Sequence, residues 1–247
     1  MVIQPGDQQL PLALVTGASR RLGRVLALEL GRQGYAVGLH YHLSAAQAAE
    51  TAEEIRKLGV PVFLIPADLS DPQQIVRLFE ELDALPHPLK ILVNSAAVMQ
   101  RHNLLDISAA EWDATLALNL RAPLLCAQHA ARLMGEAGGL IINITDAGAA
   151  RAWTGFPAYI ISKSALENLT RLLARSLAPA IRVNSIAPGL ISPQGDSVSP
   201  EWTRLVGRVP LRRSGTAEEV AGALAFLIHN EYVTGQSIVV DGGYQLI

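Results

Sequence analysis

The 247-residue chain has 50% hydrophobic residues, which is enough apolar material for the core of one large α/β domain. Its formal net charge of −2 provides no broad basic surface for nucleic acid or for an anionic membrane. The single cysteine, Cys126, cannot form an internal disulfide, which fits a reducing compartment. Its apolar neighbours favour a core thiol over a nucleophile.

The amino-terminal segment does not resemble a secretory signal. In MVIQPGDQQLPLALV no basic segment precedes a long apolar one. No run in the sequence approaches the ~20 apolar residues of a membrane-spanning helix. We therefore expect a soluble, cytoplasmic protein without a membrane or nucleic-acid partner.

Short apolar runs alternate with segments of helical periodicity. Strands are predicted at residues 12–15, 36–41, 60–65, 89–93, 140–144, 181–186 and 237–240. Helices are predicted at residues 22–30, 45–58, 72–82 and 109–134, around Tyr159, and after a Thr216/Glu219 capping box. We expect Pro123 to disturb the 109–134 helix. Apolar strands that are each followed by a helix predict an α/β fold with a doubly wound parallel sheet.

Polar and glycine-containing clusters follow the predicted strands. Because the carboxyl ends of parallel strands meet along one crevice, these clusters are expected to line a single ligand site. The clusters are residues 16–23, 40–44, 68–69, 94–97, Asp146 and 188–189.

The first cluster, TGASRRLG, lies between a strand and a helix. Gly17 permits a tight turn, and the helix start offers N–H groups and a positive dipole end to a pyrophosphate. This context favours nucleotide binding over a plain loop. Arg21 could reach the diphosphate or a substrate beside it, or it could be a solvated surface arginine.

The end of the second strand predicts the choice of cofactor. An NAD enzyme usually places a carboxylate here on the ribose 2′-hydroxyl, and this segment has none. His40, His42 and Ser44 can instead donate hydrogen bonds to a 2′-phosphate, so we predict NADPH over NADH. The alternative is that the histidines form an ordinary polar strand end.

Tyr159 and Lys163 lie four residues apart, which places both on one face of a helix. The ammonium would favour the phenolate and lower the pKa of the tyrosine from its usual value near 10. Such a phenol could donate a proton near neutral pH. The alternative is a packed tyrosine beside a solvated lysine.

Several motifs occur in the order and spacing of one enzyme family. They are Thr16-Gly17 to Gly23, Asn94-Ser95-Ala96-Ala97, Asn119, Tyr159-x-x-x-Lys163 and Pro188-Gly189. In these features the chain resembles the short-chain dehydrogenases/reductases over nearly its whole length. Within that family it looks like the pteridine reductases, because of the His40-Tyr41-His42 segment, Arg21 in place of the usual glycine, and Asp146 in place of the catalytic serine.

The resemblance implies a single-domain Rossmann fold with a seven-stranded parallel sheet over residues 1–247, and a substrate loop at about 188–215. It also implies a nicotinamide cofactor, hydride transfer and usually a homotetramer. Tyr159 would be the proton donor, and Lys163 would lower its pKa and hold the nicotinamide ribose. Asn119 would support a proton-relay water, and Asn94 would shape the adenosine-side floor.

The predicted site divides into three sets of residues. Catalytic roles are implied for Asn119, Asp146, Tyr159 and Lys163. Cofactor contacts are predicted for Gly17, Arg20, Arg21, Leu22, Gly23, His40, Tyr41, His42, Ser44, Asp68, Leu69, Asn94, Ser95, Ala96, Tyr159, Lys163, Pro188, Gly189 and Ile191. Substrate contacts are predicted for Arg21, Met99, Asp146, Phe156, Tyr159 and Trp202.

Asp146 bears directly on the substrate. The usual serine donates a hydrogen bond to a substrate carbonyl, whereas an ionised carboxylate cannot donate. A carboxylate beside a developing alkoxide raises the barrier by like-charge repulsion, so an ordinary ketone fits poorly unless Asp146 is protonated. The amino-pyrimidinone edge of a pterin has N–H donors, and the reduced C=N bond forms no alkoxide. The alternative is an acid that caps the next loop.

Two positions depart from the pteridine reductase pattern, and two aromatic positions match it. Met99 occupies a position where that branch often has a phenylalanine, and a thioether covers a flat ring less rigidly. Leu43 replaces a polar or basic residue beside the 2′-phosphate. Phe156 and Trp202 match aromatic residues near the substrate, although burial in the core would explain them equally well.

The sequence therefore predicts an NADPH-dependent reductase that converts a dihydropteridine, such as dihydrobiopterin or dihydromonapterin, to its tetrahydro form without a metal. One alternative is a reductase of a ketone such as a 3-oxoacyl thioester. Another is a nucleotide-binding regulator without catalysis. The complete set of Tyr159, Lys163 and Asn119 favours catalysis.

Overall fold

Seven parallel strands form one sheet in the computed structural model, which describes residues 9–151, 153–192 and 199–247. The strands are β1 (Leu12–Val15), β2 (Ala36–Tyr41), β3 (Val62–Pro66), β4 (Leu89–Asn94), β5 (Gly139–Ile144), β6 (Ile181–Pro188) and β7 (Ser237–Val240). Their order is β3-β2-β1-β4-β5-β6-β7, so the chain reverses its direction across the sheet between β1 and β4. A crevice forms outside the carboxyl ends at such a reversal.

Helices cover both faces of this sheet. They are α1 (Arg21–Arg32), α2 (Ala45–Arg56), α3 (Pro72–Asp83), α4 (Ala109–Leu116), α5 (Ala122–Met134), α6 (Pro157–Leu177), α7 (Pro200–Val206) and α8 (Ala217–His229). One core cluster joins the sheet to α1, α2 and α8, and a second joins it to α3, α5 and α6. In β1, Ala13 and Val15 belong to the first cluster, while Leu12 and Leu14 belong to the second. Burial on both faces explains why the strand is apolar at every position.

The predicted α/β fold, with one doubly wound seven-stranded parallel sheet, is confirmed. Cys126 is fully buried on α5, and burial raises the pKa of its thiol to about 12, which agrees with a core role. Within the part of the chain that the structure describes, no helix is long and apolar enough to cross a membrane. The predicted substrate loop at 188–215 includes residues 193–198, which lie outside the described residues.

The long helix predicted at 109–134 is interrupted before Pro123. A π-helical turn, Ala117–Arg121, separates α4 from α5 and carries Asn119. Pro123 has no N–H to donate to the carbonyl of Asn119, four residues earlier, so a regular α-helix cannot continue through this point. Single π-turns of this kind are frequent at functional sites.

The helix α7 was not predicted from the sequence, and it lies inside the predicted substrate loop at 188–215. The Ser199 side chain caps the helix by accepting a hydrogen bond from the Trp202 backbone N–H at 3.1 Å, and Pro200 occupies its first turn. Serine followed by proline is a helix-start signal that was available in the sequence. This helix places Trp202 and Glu201 close to the sheet's carboxyl edge.

Candidate active site

A cavity of about 510 Å³ lies at the carboxyl ends of the strands, where the topology predicts it. It brings together residues from segments spread over most of the chain. Of the residues predicted to bind cofactor or substrate, those that line it are Gly17, Arg20, Arg21, Leu22, Gly23, His40, His42, Ser44, Asp68, Leu69, Ser95, Ala96, Asp146, Tyr159, Lys163, Pro188 and Gly189.

The turn after β1 is held tightly against the end of β4. Gly17 has φ +66, and a Cβ at this position would lie 2.9 Å from the Ala96 Cα. Thr16 Oγ1 accepts hydrogen bonds from the backbone N–H groups of Ser95 and Ala96 at 2.9 and 3.0 Å. A Cβ on Gly23 would lie 2.2 Å from the Gly17 carbonyl oxygen. The two glycines therefore allow the turn and the start of α1 to pack in contact.

Arg21 begins α1 with a backbone conformation that usually belongs to glycine. Its φ of +52 lies in the left-handed region, which costs an L-residue roughly 1–2 kcal/mol. The same residue lines the cavity at the helix start, where the first N–H groups have no acceptor within the helix. The backbone strain at Arg21 therefore occurs at the cavity wall, where α1 begins.

The predicted hydrogen bond from His40 to a 2′-phosphate is corrected by the structure. The Gly17 backbone N–H donates to His40 Nδ1 at 3.0 Å, so the ring proton lies on Nε2, which is 3.0 Å from the Ala67 carbonyl oxygen. The side chain is 2% exposed, and burial lowers its pKa to about 4. His40 therefore fixes the glycine turn, while His42 and Ser44 line the cavity and stay available to a phosphate.

Asp146 joins Tyr159 to the loop that follows β5. The Tyr159 hydroxyl donates a hydrogen bond to Asp146 Oδ2 at 2.6 Å, and the Gly148 N–H donates to Oδ1 at 2.6 Å. The carboxylate therefore caps the loop with one oxygen and faces the phenol with the other. Gly148 is confined here, because a Cβ on it would lie 2.5 Å from the Trp153 ring and 2.9 Å from Asp146 Oδ1.

The predicted lowering of the Tyr159 pKa is also wrong for this arrangement. Burial, followed by the neighbouring Asp146 carboxylate, raises the pKa of Tyr159 well above 10. Burial likewise raises the pKa of Asp146 and lowers that of Lys163 to about 8. Lys163 Nζ donates to the Ile144 carbonyl at 2.7 Å and lies 5.8 Å from the Tyr159 ring centroid. The result is a protonated phenol, ready to donate, with a carboxylate as its acceptor.

Asn119 organises the site from outside the cavity. It is fully buried; its side-chain oxygen accepts from the Val98 N–H at 2.9 Å, and its amide donates to the Val98 carbonyl and to Ser162 Oγ. These bonds fix the loop after β4 against α6, which carries Tyr159. The implied support of a relay water stays a prediction.

Three predicted cofactor residues do not line the cavity, and their contacts with the cofactor stay predictions. Asn94 is buried and donates to the side chain of Asn143 at 2.9 Å, which ties β4 to β5 beneath the site. Tyr41 packs against the core cluster that includes α1 and α2. Ile191 packs against the same cluster and forms a β-bridge with Gly215.

A second cavity, of about 560 Å³, contains the predicted substrate residues Met99, Phe156 and Trp202. The rings of Trp153 and Phe156 lie 6.5 Å apart, and Trp153 lies 6.1 Å from Tyr244. Nine further lining residues were not predicted from the sequence, and Arg101, Trp153, Glu201 and Tyr244 are among them. Tyr244 carries no local signal, because it reaches the site from the last turn of the chain.

The two cavities adjoin along several segments. Val98 lines the first and Met99 the second, and the same change occurs between Gly189 and Leu190. Phe156, the residue before α6, lines the second cavity. Tyr159, about one turn later on α6, lines the first. Together the cavities offer room for a cofactor and for a substrate that extends away from Tyr159.

Comparison with known proteins agrees with this geometry. A family model described as enoyl-(acyl carrier protein) reductase matches residues 17–245. The 3-oxoacyl-[acyl-carrier-protein] reductase FabG of Staphylococcus aureus is 35% identical over 237 residues, which cover 94% of this chain and 96% of the relative.

Solved structures are similar along nearly the whole chain. FolM alternative dihydrofolate reductase 1 from Brucella canis, complexed with NADP, superimposes with a TM-score of 0.88 at 32% identity, covering 96% of this chain and 95% of that one. A short chain dehydrogenase from Burkholderia cenocepacia, also in complex with NADP, gives a TM-score of 0.90 at 32% identity, covering 96% and 99%.

Proposed function

The chain belongs to the short-chain dehydrogenase/reductase family, and we propose that it is an NADPH-dependent reductase of dihydropteridines. The observation that carries the proposal is the Asp146 carboxylate in hydrogen-bond contact with Tyr159 at the wall of the first cavity. A carboxylate can only accept there, so it suits a substrate that presents N–H groups.

The described residues of the first cavity fit a phosphorylated dinucleotide. The tight turn at Gly17 and the N-terminal end of α1, where the helix dipole is positive, suit a diphosphate. Beside the end of β2, His42 and Ser44 can donate to a 2′-phosphate, and no carboxylate of residues 40–44 opposes one. NADPH supplies the hydride when bound. The NADP complexes of the two similar structures support this choice of cofactor.

The protein's part in the reaction is to orient the ring and to supply a proton. Asp146 would accept hydrogen bonds from the N–H groups of the pyrimidine edge. The Tyr159 hydroxyl would leave its hydrogen bond to Asp146 and donate instead to the ring nitrogen. Its proton would pass to that nitrogen as the hydride reaches the neighbouring carbon, so that the C=N bond becomes a CH–NH bond. Lys163 would stabilise the phenolate left behind until the tyrosine is reprotonated.

A second candidate function is the reduction of a 3-oxoacyl thioester. The 35% identity to FabG favours it, while the FolM dihydrofolate reductase structure favours the pteridine proposal. Asp146 discriminates between them, because an ionised carboxylate next to a developing alkoxide opposes ketone reduction. Two substitutions test the proposal, and the first of them uses this difference.

The first substitution is Asp146→Ser, with Asp146→Asn as its control of similar size. Serine can donate to a carbonyl, so kcat/KM should fall for dihydrobiopterin and rise for acetoacetyl-CoA. Asparagine keeps an oxygen for the Gly148 N–H but loses the charge, which separates the electrostatic effect from loop capping. A rise for dihydrobiopterin in Asp146→Ser would contradict the proposal.

The second substitution, Tyr159→Phe, removes the proton donor without changing the ring. We expect kcat to fall by about a hundredfold or more, while the NADPH dissociation constant stays nearly unchanged. Steady-state turnover and equilibrium titration measure the two quantities separately. An unchanged kcat would exclude Tyr159 as the donor.

The substrate assignment is tested by a panel of dihydrobiopterin, dihydromonapterin, dihydrofolate and acetoacetyl-CoA, each with NADPH and with NADH. We expect turnover of at least one dihydropteridine and a preference for NADPH. Turnover of acetoacetyl-CoA alone would replace the proposal by the second candidate. NADPH binding without any turnover would favour a regulator. The homotetramer implied by the family resemblance also stays a prediction, which sedimentation can check.

A further inference from the structure

An arginine and a glutamate face each other at the edge of the second cavity. Arg101 Nη2 lies 4.0 Å from Glu201 Oε1, and the two side chains are 70% and 59% exposed. Arg101 belongs to the loop after β4, and Glu201 to the first turn of α7. Exposed pairs of this kind contribute only about 0–1 kcal/mol, so Glu201 is a weak partner that another anion could displace.

The Arg101 guanidinium is held in place without using its hydrogen-bond donors. Its Cζ lies 5.7 Å from the centroid of the Phe156 ring, a cation–π distance. Throughout residues 9–151, 153–192 and 199–247, the structure contains no hydrogen bond from this guanidinium to a protein acceptor. Its planar fork of N–H groups matches a carboxylate or a phosphate.

The charges around the second cavity make Arg101 distinctive. Among its described lining residues, only Arg101 and Glu201 are charged, and the others are aromatic, apolar or small and polar. The guanidinium lies over Phe156, which precedes the α6 turn that carries Tyr159. A substrate that extends from Tyr159 through the second cavity therefore passes Phe156 before it reaches the Arg101/Glu201 pair.

We propose that Arg101 selects substrates that carry an anionic group at the end remote from the reduced bond, and that this anion replaces Glu201 on the guanidinium. The proposal rests on the proposed function only in placing the reduced bond beside Tyr159. A carboxylated pteridine derivative and a phosphate-bearing thioester share the required chemistry. The charge selection therefore holds for either candidate function.

Two matched pairs of ligands test the proposal with the NADP-bound enzyme. Dihydrofolate carries carboxylates and dihydrobiopterin none, while acetoacetyl-CoA carries phosphates and acetoacetyl-N-acetylcysteamine none. Isothermal titration gives the dissociation constant of each ligand, whether or not it is turned over. In Arg101→Gln, the ratio of the charged to the neutral dissociation constant should rise about five- to tenfold for the pair that the enzyme uses.

Three further variants fix the interpretation. Glu201→Gln should lower the same ratio about twofold, because the competing carboxylate is removed. Arg101→Lys should restore part of the selectivity, since it keeps the charge without the planar fork. Arg175→Gln, an equal charge change on the exposed face of α6 outside both cavities, should leave the ratio unchanged.

Equal effects of Arg101→Gln on both members of a pair, or a loss of selectivity in Arg175→Gln of the same size, would overturn the proposal. Failure to bind either charged ligand would also overturn it. The pair that responds identifies a carboxylate or a phosphate as the source of the anion. If no dihydropteridine is turned over, the proposed function fails, but the thioester pair still tests Arg101.

Discussion

The two adjoining cavities are built in opposite ways. The first is shaped by backbone, with the Gly17 turn packed on Ala96 and fixed by buried His40 and Thr16. The second is shaped by large side chains from separate segments, such as Trp153, Trp202 and Tyr244. Backbone atoms in contact cannot make room for an added atom unless the chain moves, whereas long side chains can change rotamer. We therefore expect the first cavity, the cofactor half of the site, to be intolerant of one added methyl group. The second cavity, the substrate half, should tolerate the exchange of one ring for another.

The largest expected effect comes from Gly17→Ala. The new Cβ would meet the Ala96 Cα at 2.9 Å, and alanine at φ +66 is strained by roughly 1–2 kcal/mol. Because the turn and the end of β4 must separate, we expect the NADPH dissociation constant to rise more than about tenfold. Equilibrium titration with NADPH measures this.

Gly34→Ala provides the matched control. Gly34 has φ +84, and no described atom lies within 4 Å of the added Cβ, so this variant has the backbone strain without the collision. Its stability should fall while its NADPH affinity stays unchanged. Equal losses of affinity in both variants would remove the distinction between the two halves.

A second effect, on stability and not on cofactor affinity, follows from the buried His40. Its pKa is about 4 in the folded protein against 6.5 when unperturbed, so between these values the unfolded chain binds a proton that the folded protein does not. The free energy of unfolding should therefore decrease as the pH falls through this window, by at most about 1.4 kcal/mol per pH unit. Above pH 6.5, the titration of His40 should not change the free energy of unfolding. His42 opposes protonation and Asp68 favours it, both less strongly than burial.

Denaturant unfolding across this pH window measures the slope, and His40→Gln is the comparison, because it removes the titrating group. The slope should flatten in the variant. An identical slope in both proteins would mean that His40 titrates normally and is not locked beneath the Gly17 turn.

The smallest effect is expected in the substrate half. Met99 is 47% exposed at the cavity wall, and Met99→Phe exchanges a flexible thioether for a rigid ring. We expect KM for a dihydropteridine to fall about twofold, with little change in stability, because the site has room to adapt. A loss of activity beyond tenfold would show that this half is as rigid as the first.

The same contrast explains what the sequence could predict. The strand of residues 12–15 is apolar at every position, and parallel strands bring the residues that follow them to one edge of the sheet whatever the side chains are. The cofactor cavity could therefore be assembled from chain order alone. The second cavity depends on α7 and Tyr244, whose approach is set by tertiary packing that no local pattern encodes.

The chemical errors have a related origin. The sequence places Lys163 one helical turn from Tyr159. It does not reveal that the Tyr159 hydroxyl lies 2.6 Å from Asp146 Oδ2, or that Tyr159 is buried. Both effects raise the pKa of Tyr159. His40 was misassigned for the same reason, because its partners Gly17 and Ala67 come from other segments.

Gly148 gives the molecule a constraint on its evolutionary history. A Cβ there would collide with the Trp153 ring and the Asp146 carboxylate at once. Replacing Asp146 by the smaller serine, or losing the Trp153 indole, removes only one of the two obstacles to a side chain at residue 148. The effects of these substitutions should therefore depend on one another. Substitutions at residues 146, 148 and 153 should thus be coupled, and a single replacement at 148 should require the Trp153 ring and the Asp146 carboxylate to shift.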